Sequence, residues 1–91
     1  MKLYYPAIFS KETDGQYSVL FPDFPEAITF GDDFIQAIER AKACIELCLE
    51  GRIDNGEDIP IAQFERFEAK EKEQIMIIEL DWLEYGNKYY N

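Results

Sequence analysis

Four carboxylates, Asp23, Glu46, Glu79 and Asp81, have the strongest claim to chemistry in this chain. Hard divalent cations take oxygen ligands of this kind, and a bound Mg²⁺ would support a nuclease-like hydrolysis. Abundance dilutes the claim. With 19 Asp and Glu in 91 residues, acids fall near one another by chance, and most belong to a solvated face. The other routes to catalysis are closed. The chain has no histidine, which removes Ser/His/Asp and Cys/His mechanisms in their usual forms. Cys44 and Cys48 are too few for a zinc site without imidazoles. Four apart on one helix, their Cβ atoms stand roughly 5–6 Å from each other, too far for an unstrained disulfide. They read as core packing in a reducing compartment. "DNGEDIP" lacks both the lysine and the strand–loop–helix setting of a phosphate loop. The residues point to a non-enzyme with no cofactor and no metal.

Charge is the strongest remaining signal. Nineteen acids against nine Lys and Arg give a formal −10, which repels phosphate backbones and suits a basic partner. Simple solubility is the plain alternative. Fourteen aromatic residues (seven Phe, six Tyr and one Trp) separate the chain from a disordered acidic tail. Its length suits one domain, residues 1–91, with a single core. No apolar run approaches the roughly 20 residues of a membrane span. The N-terminal "MKLYYPAIFS" alternates and carries a proline, so it reads as a strand and not as a signal peptide. A cytoplasmic protein is expected.

The elements follow from periodicity. Leu3, Tyr5, Ala7 and Phe9 alternate with Tyr4, Pro6 and Ile8, a strand apolar on both faces. Pro6 is in tension with that reading, because proline lacks a ladder donor and prefers edges. Asp14-Gly15 signals a hairpin turn into a second strand lined by Tyr17, Val19 and Phe21. "PDFP" turns the chain again, and "EAITF" reads as a short third strand. Asp33 is suited to cap a helix, with Gln36 completing a variant capping box. Phe34, Ile38, Ala41, Ile45 and Cys48 form its apolar stripe, and Gly51 is its expected C-terminal stop. Glu39, Arg40, Lys42, Glu46 and Glu50 fill much of the remaining surface. "IAQFERFEAKEKE" fits a short helix or an ordered loop. "QIMIIELDW" reads as a strand buried on both faces. "LEYGNKYYN" has room for one helical turn before Gly86. The order β-β-β-α-β is economically satisfied by an α+β fold: one sheet with the main helix on one face.

Within the "PDFP" turn, Asp23 reads as a partner for local backbone N–H groups. Phe24 is either tucked under the helix or exposed as an anchor. Tyr4, Tyr5, Tyr89 and Tyr90 suit core edges or an interface, since tyrosine joins apolar area to a polar tip.

The ordered set of motifs resembles the HicB-type antitoxins. The resemblance rests on the Tyr-Pro-Ala strand (Tyr5 to Ala7), the Gly-Gln-Tyr-Ser-Val strand, Phe21-Pro-Asp-Phe-Pro25, the Gly31-Asp32 helix start, Leu49-Glu-Gly51 and Ile59-Pro60. It covers residues 4–60, and "IMIIELDWLEY" is similar to the fourth strand and the acidic segment after it. The resemblance implies a partial RNase H-like fold. It also implies neutralisation of a small basic HicA-type toxin that cleaves mRNA. The contact surface is expected at Asp23, Phe24 and Glu26 and at the acidic helix positions Glu39 and Glu46, because these residues are polar or anchor-like near that surface. Self-association into a homodimer or larger homo-oligomer is expected through an exposed strand edge. An orphan HicB-like interaction domain and the Mg²⁺-dependent nuclease are the alternatives. Two positions depart from the family: Glu26-Ala27 replaces Gly-Cys, and Asp33 replaces Thr or Ser. Many relatives continue into a DNA-binding domain at about the point where this sequence stops, so operator binding is not expected of this chain.

Overall fold

The computed structural model describes residues 2–64 and 68–81. They form β1 (Lys2–Lys11), β2 (Tyr17–Phe21), β3 (Phe24–Gly31), α1 (Phe34–Asp54) and β4 (Glu73–Asp81). The strands make one antiparallel sheet in the order β3-β2-β1-β4, with α1 across one face. The expected α+β architecture is the observed one.

Local chemistry sets most of the boundaries. The β1–β2 hairpin closes on Gly15, whose φ of 89° suits glycine, while the Asp14 carboxylate accepts the Gln16 N–H at 3.0 Å. Asp33 caps α1 by accepting the Gln36 N–H at 2.8 Å, and the Gln36 side chain reaches back to accept the Asp32 N–H at 2.6 Å. That is the expected capping box, displaced by one residue on its return bond. The C-terminal stop differs from expectation. Gly51 lies inside the helix, which runs one further turn to Asp54. Gly56, at φ 71°, supplies the left-handed residue: its N–H donates to Ile53 O and the Glu57 N–H to Arg52 O, a Schellman closure.

The core lies between α1 and one face of the sheet. Ala37, Ala41, Ile45 and Leu49 pack on Tyr5, Ala7 and Phe9 of β1, Val19 and Phe21 of β2, and Ile78 and Leu80 of β4. Phe34, Ile38, Cys44 and Cys48 flank this stripe, half-buried. Small residues let the start of the helix come down close to β3. A methyl group built on Gly31 would stand 2.4 Å from the Ala37 nitrogen, so Gly31 is demanded by proximity and not by a turn conformation.

Pro6 is accommodated by unequal ladders. β4 flanks β1 from Lys2 to Ser10, whereas β2 flanks it only from Ile8 to Lys11. At Pro6, β1 therefore has a single neighbour, as an edge strand does.

The face away from the helix corrects another expectation. β4 is buried on one side only: Ile78 and Leu80 point inward, while Ile77 is 49% exposed. Ile28, Leu20, Ile8 and Ile75 pair in register across all four strands, forming an apolar row on this outer face. Phe64 is exposed in the connection before β4, and no helix forms among its described residues. Trp82, the helical turn expected before Gly86, and Tyr89 and Tyr90 lie outside the described residues.

Candidate partner-binding surface

The "PDFP" turn does more than reverse the chain. Phe21 pairs with Phe24, leaving Pro22 and Asp23 at the tip, and an irregularity follows because Leu20 pairs with Ile28. The three residues between Phe24 and Ile28 have no partners on β2, and Glu26 lies in this bulge. Asp23 does not close a local turn. Its carboxylate accepts the backbone N–H of Gln63 at 3.3 Å, 40 residues away. The Tyr5 hydroxyl donates to the Pro60 carbonyl at 2.7 Å. Together these bonds strap residues 59–63 onto the sheet. Burial pushes the Tyr5 phenol up to about 12, with the charge of Asp23 adding to it, so its proton stays in place for Pro60.

Phe24 is fully buried, which removes it from the candidate surface: a ring with 0% exposure offers a partner nothing to touch. It stands edge-on to Tyr5 at 4.8 Å, and the Arg52 guanidinium lies 4.8 Å from its ring centre. Arg52 in turn makes a bidentate pair with Glu26 at 2.9 and 3.0 Å. The Arg52 hydrogen bonds hold the Glu26 carboxyl below the usual range. The acid that departs from the family pattern is thus matched by a base one helix away.

The structure does not gather the five expected contact residues into one patch. Asp23 and Glu26 sit beside the C-terminal end of α1, each already bonded within the chain. Glu39 and Glu46, seven residues apart, share one side of the helix, Glu39 exposed and Glu46 half-buried. Near them α1 also exposes Ile35 at 65% and Leu47 at 68%. The acids Asp23, Glu46, Glu79 and Asp81 do not converge either. Glu79 pairs with Lys2 at 2.6 Å on the outer sheet face, and among the described residues no three His, Cys, Asp or Glu side chains could hold one metal ion.

Sequence reasoning missed a groove. Leu3, Tyr4, Tyr5, Ile59, Pro60, Ile61 and Ala62 line a largely apolar cleft of about 390 Å³, with Ile61 82% exposed at its rim. The available signal was the apolar run Ile59 to Ala62, set between two highly charged stretches. A cleft of this size has room for a large apolar side chain. No described helix is long and apolar enough to cross a membrane.

Comparison with known proteins places this geometry among relatives. Residues 5–87 match the family described as "HicB_like antitoxin of bacterial toxin-antitoxin system". The chain is 37% identical over 57 residues to Antitoxin HicB 1 of Photorhabdus laumondii, covering 63% of this chain and 37% of that protein. It is 36% identical over 56 residues to an uncharacterized 14.9 kDa protein of the rep-hol intergenic region of Haemophilus phage HP1, covering 62% of this chain and 41% of that protein. The chain therefore spans less than half the length of these curated relatives. Among solved structures, the fold is similar to a chain of a Streptococcus pneumoniae toxin–antitoxin complex (TM-score 0.74, 22% identity, 93% of this chain and 73% of that one). It is also similar to the N-terminal domain of Burkholderia pseudomallei antitoxin HicB (TM-score 0.73, 24% identity, 87% of this chain and 99% of that one).

Proposed function

Since the chain belongs to the HicB-like antitoxins of bacterial toxin–antitoxin systems, we propose that it acts by binding and neutralising a small basic HicA-type toxin that cleaves mRNA. The family match over residues 5–87 is the observation that carries the reading. The likeness of the fold to a chain of the HicA3 and HicB3 toxin–antitoxin complex supports it (TM-score 0.69, 20% identity, 87% of this chain and 99% of that one).

On this reading residues 1–91 act as one cytoplasmic, non-catalytic domain whose work is occlusion. The −10 charge steers a basic toxin toward the acidic surface, with Asp23, Glu26, Glu39 and Glu46 contributing, and the apolar groove at Tyr4 and Ile61 anchors it. Phosphate backbones are repelled by the same charge, so DNA binding by this chain alone is no part of the proposal.

The test is a calorimetric titration against the small basic protein encoded beside the gene, together with an mRNA-cleavage assay. Binding should abolish cleavage and weaken steadily as salt rises. Reversing charge with Glu39→Lys and Glu46→Lys together should slow association about tenfold while leaving the fold intact. Undiminished cleavage in the presence of excess chain would overturn the reading. Mg²⁺-dependent cleavage of RNA by the chain alone would replace it with the nuclease.

A further inference from the structure

The outer sheet face is unlike the solvated side of an ordinary antiparallel sheet, where polar residues alternate outward. Five of its side chains are large, apolar and about half-exposed: Tyr4 at 45%, Leu20 at 42%, Ile28 at 58%, Phe30 at 55% and Ile77 at 49%. Between them runs the row Ile28, Leu20, Ile8 and Ile75, one residue from each strand. At roughly 200 Å² for a large side chain, those exposures leave on the order of 500 Å² of apolar surface on this face. That is at the upper end of the ~300–600 Å² found for the largest patch on a typical monomer.

We propose that this face is a self-association surface that joins two copies of the chain, sheet against sheet. Area favours a second copy, and the uncharged centre of the face permits one despite the net charge. Two such faces bury about 1,000 Å² of apolar surface between them, and their polar rims bring the total into the ~1,200–2,000 Å² range of stable interfaces. The centre of the face carries no charge. Its carboxylates are held at the margin, with Glu79 paired to Lys2 and Glu73 accepting from the Ser10 hydroxyl at 3.4 Å. A strongly basic partner gains nothing from such a surface, whereas the same apolar row on a second copy matches it and keeps the acids of both chains outside the contact. Aligned sheet packing, about 10 Å between sheets, seats one row across the other. The arrangement uses a sheet face and not the strand edge expected from sequence, and it does not depend on the identity of the toxin.

Sedimentation velocity on the full chain over a range of concentrations tests it. Dimer formation with a dissociation constant on the order of 10 µM is expected, strengthening with added salt as the mutual repulsion of two −10 chains is screened. Leu20→Lys and Ile28→Lys, each at an exposed position, should raise that constant at least tenfold with the circular dichroism spectrum unchanged. Ile61→Lys, at the groove rim, should leave it unaltered. A chain that stays monomeric at millimolar concentration overturns the proposal. So does a dimer indifferent to both lysines, which would assign the contact to a strand edge.

Discussion

The same substitution, glycine to alanine, should act with opposite sign at two positions. At Gly31 the new methyl would meet the Ala37 nitrogen at 2.4 Å, its Cα at 2.5 Å and its Cβ at 2.8 Å. The first two obstacles are backbone, held by α1 and by the bond from Ala37 N–H to Asp33 O at 3.0 Å. No rotamer change relieves them, so the start of the helix must lift from β3 and loosen Ala37 and Ala41 in the core. Overpacking of this kind costs about 2–3 kcal/mol. For a domain this small that lowers Tm by about 10–20 °C. Gly51 lies within α1 with nothing inside 4 Å of its added methyl. There alanine gains helix propensity, about 0.5–1 kcal/mol, and raises Tm by a few degrees. Urea unfolding of both variants beside the wild type, with unchanged slopes, gives the two differences directly. If Gly31→Ala fell within about 0.5 kcal/mol of wild type, the close approach of β3 to α1 would be refuted. If Gly51→Ala were destabilising, the placement of Gly51 inside the helix would be wrong.

Two further predictions come from titrating groups. Glu26 has its carboxyl lowered by Arg52, so the pair's stabilisation is fully present above the unfolded carboxylate value near 4.5 and is lost as pH falls through the folded value. Glu26 is about half-exposed, which limits the effect to about 1 kcal/mol or less. The stability gap between wild type and Glu26→Gln should be visible at neutral pH and close as pH falls below the unfolded carboxylate value and through the lower folded one, and a gap that widened on acidification would exclude the pair as its source. Burial pushes the Cys48 thiol up to about 11. In a Cys44→Ala background its reaction with a disulfide reagent should be slow at neutral pH and climb about tenfold per pH unit through pH 9; a rate already level by pH 9 would contradict that burial.

Local signals were the legible ones. Asp14-Gly15 and Asp33 with Gln36 act over two to four residues, and each does in the fold what its chemistry announces. Gly51 and Gly56 show where such reasoning ends. Both are stop signals, but only at the second do the glycine's own N–H and that of the next residue close on Ile53 and Arg52, while an exposed glycine inside the helix is merely tolerated. The candidate surface was less legible because its bonds are long-range. Asp23 finds Gln63, Tyr5 finds Pro60 and Glu26 finds Arg52, and none of these partners has a periodic relation to the other. An apolar run such as "IMII" marks a strand, but it does not tell which faces the rest of the chain will cover.

The place of β4 in the sheet governs the order in which the molecule can assemble. β1, β2 and β3 are joined by short turns and can form as a meander as soon as they are made. β4 must cross a helix and a long connection to pair with β1, matching Lys2 with Asp81 and Ser10 with Glu73. Loop-closure entropy makes this pairing the late, slow step of folding. During synthesis the β1 edge stands open until residues 73–81 emerge, nine consecutive positions ready to accept any extended strand. A chain cut before residue 73 keeps that opening permanently. Lys2 at its start puts a charge on the waiting edge, which makes it a poorer template for foreign strands.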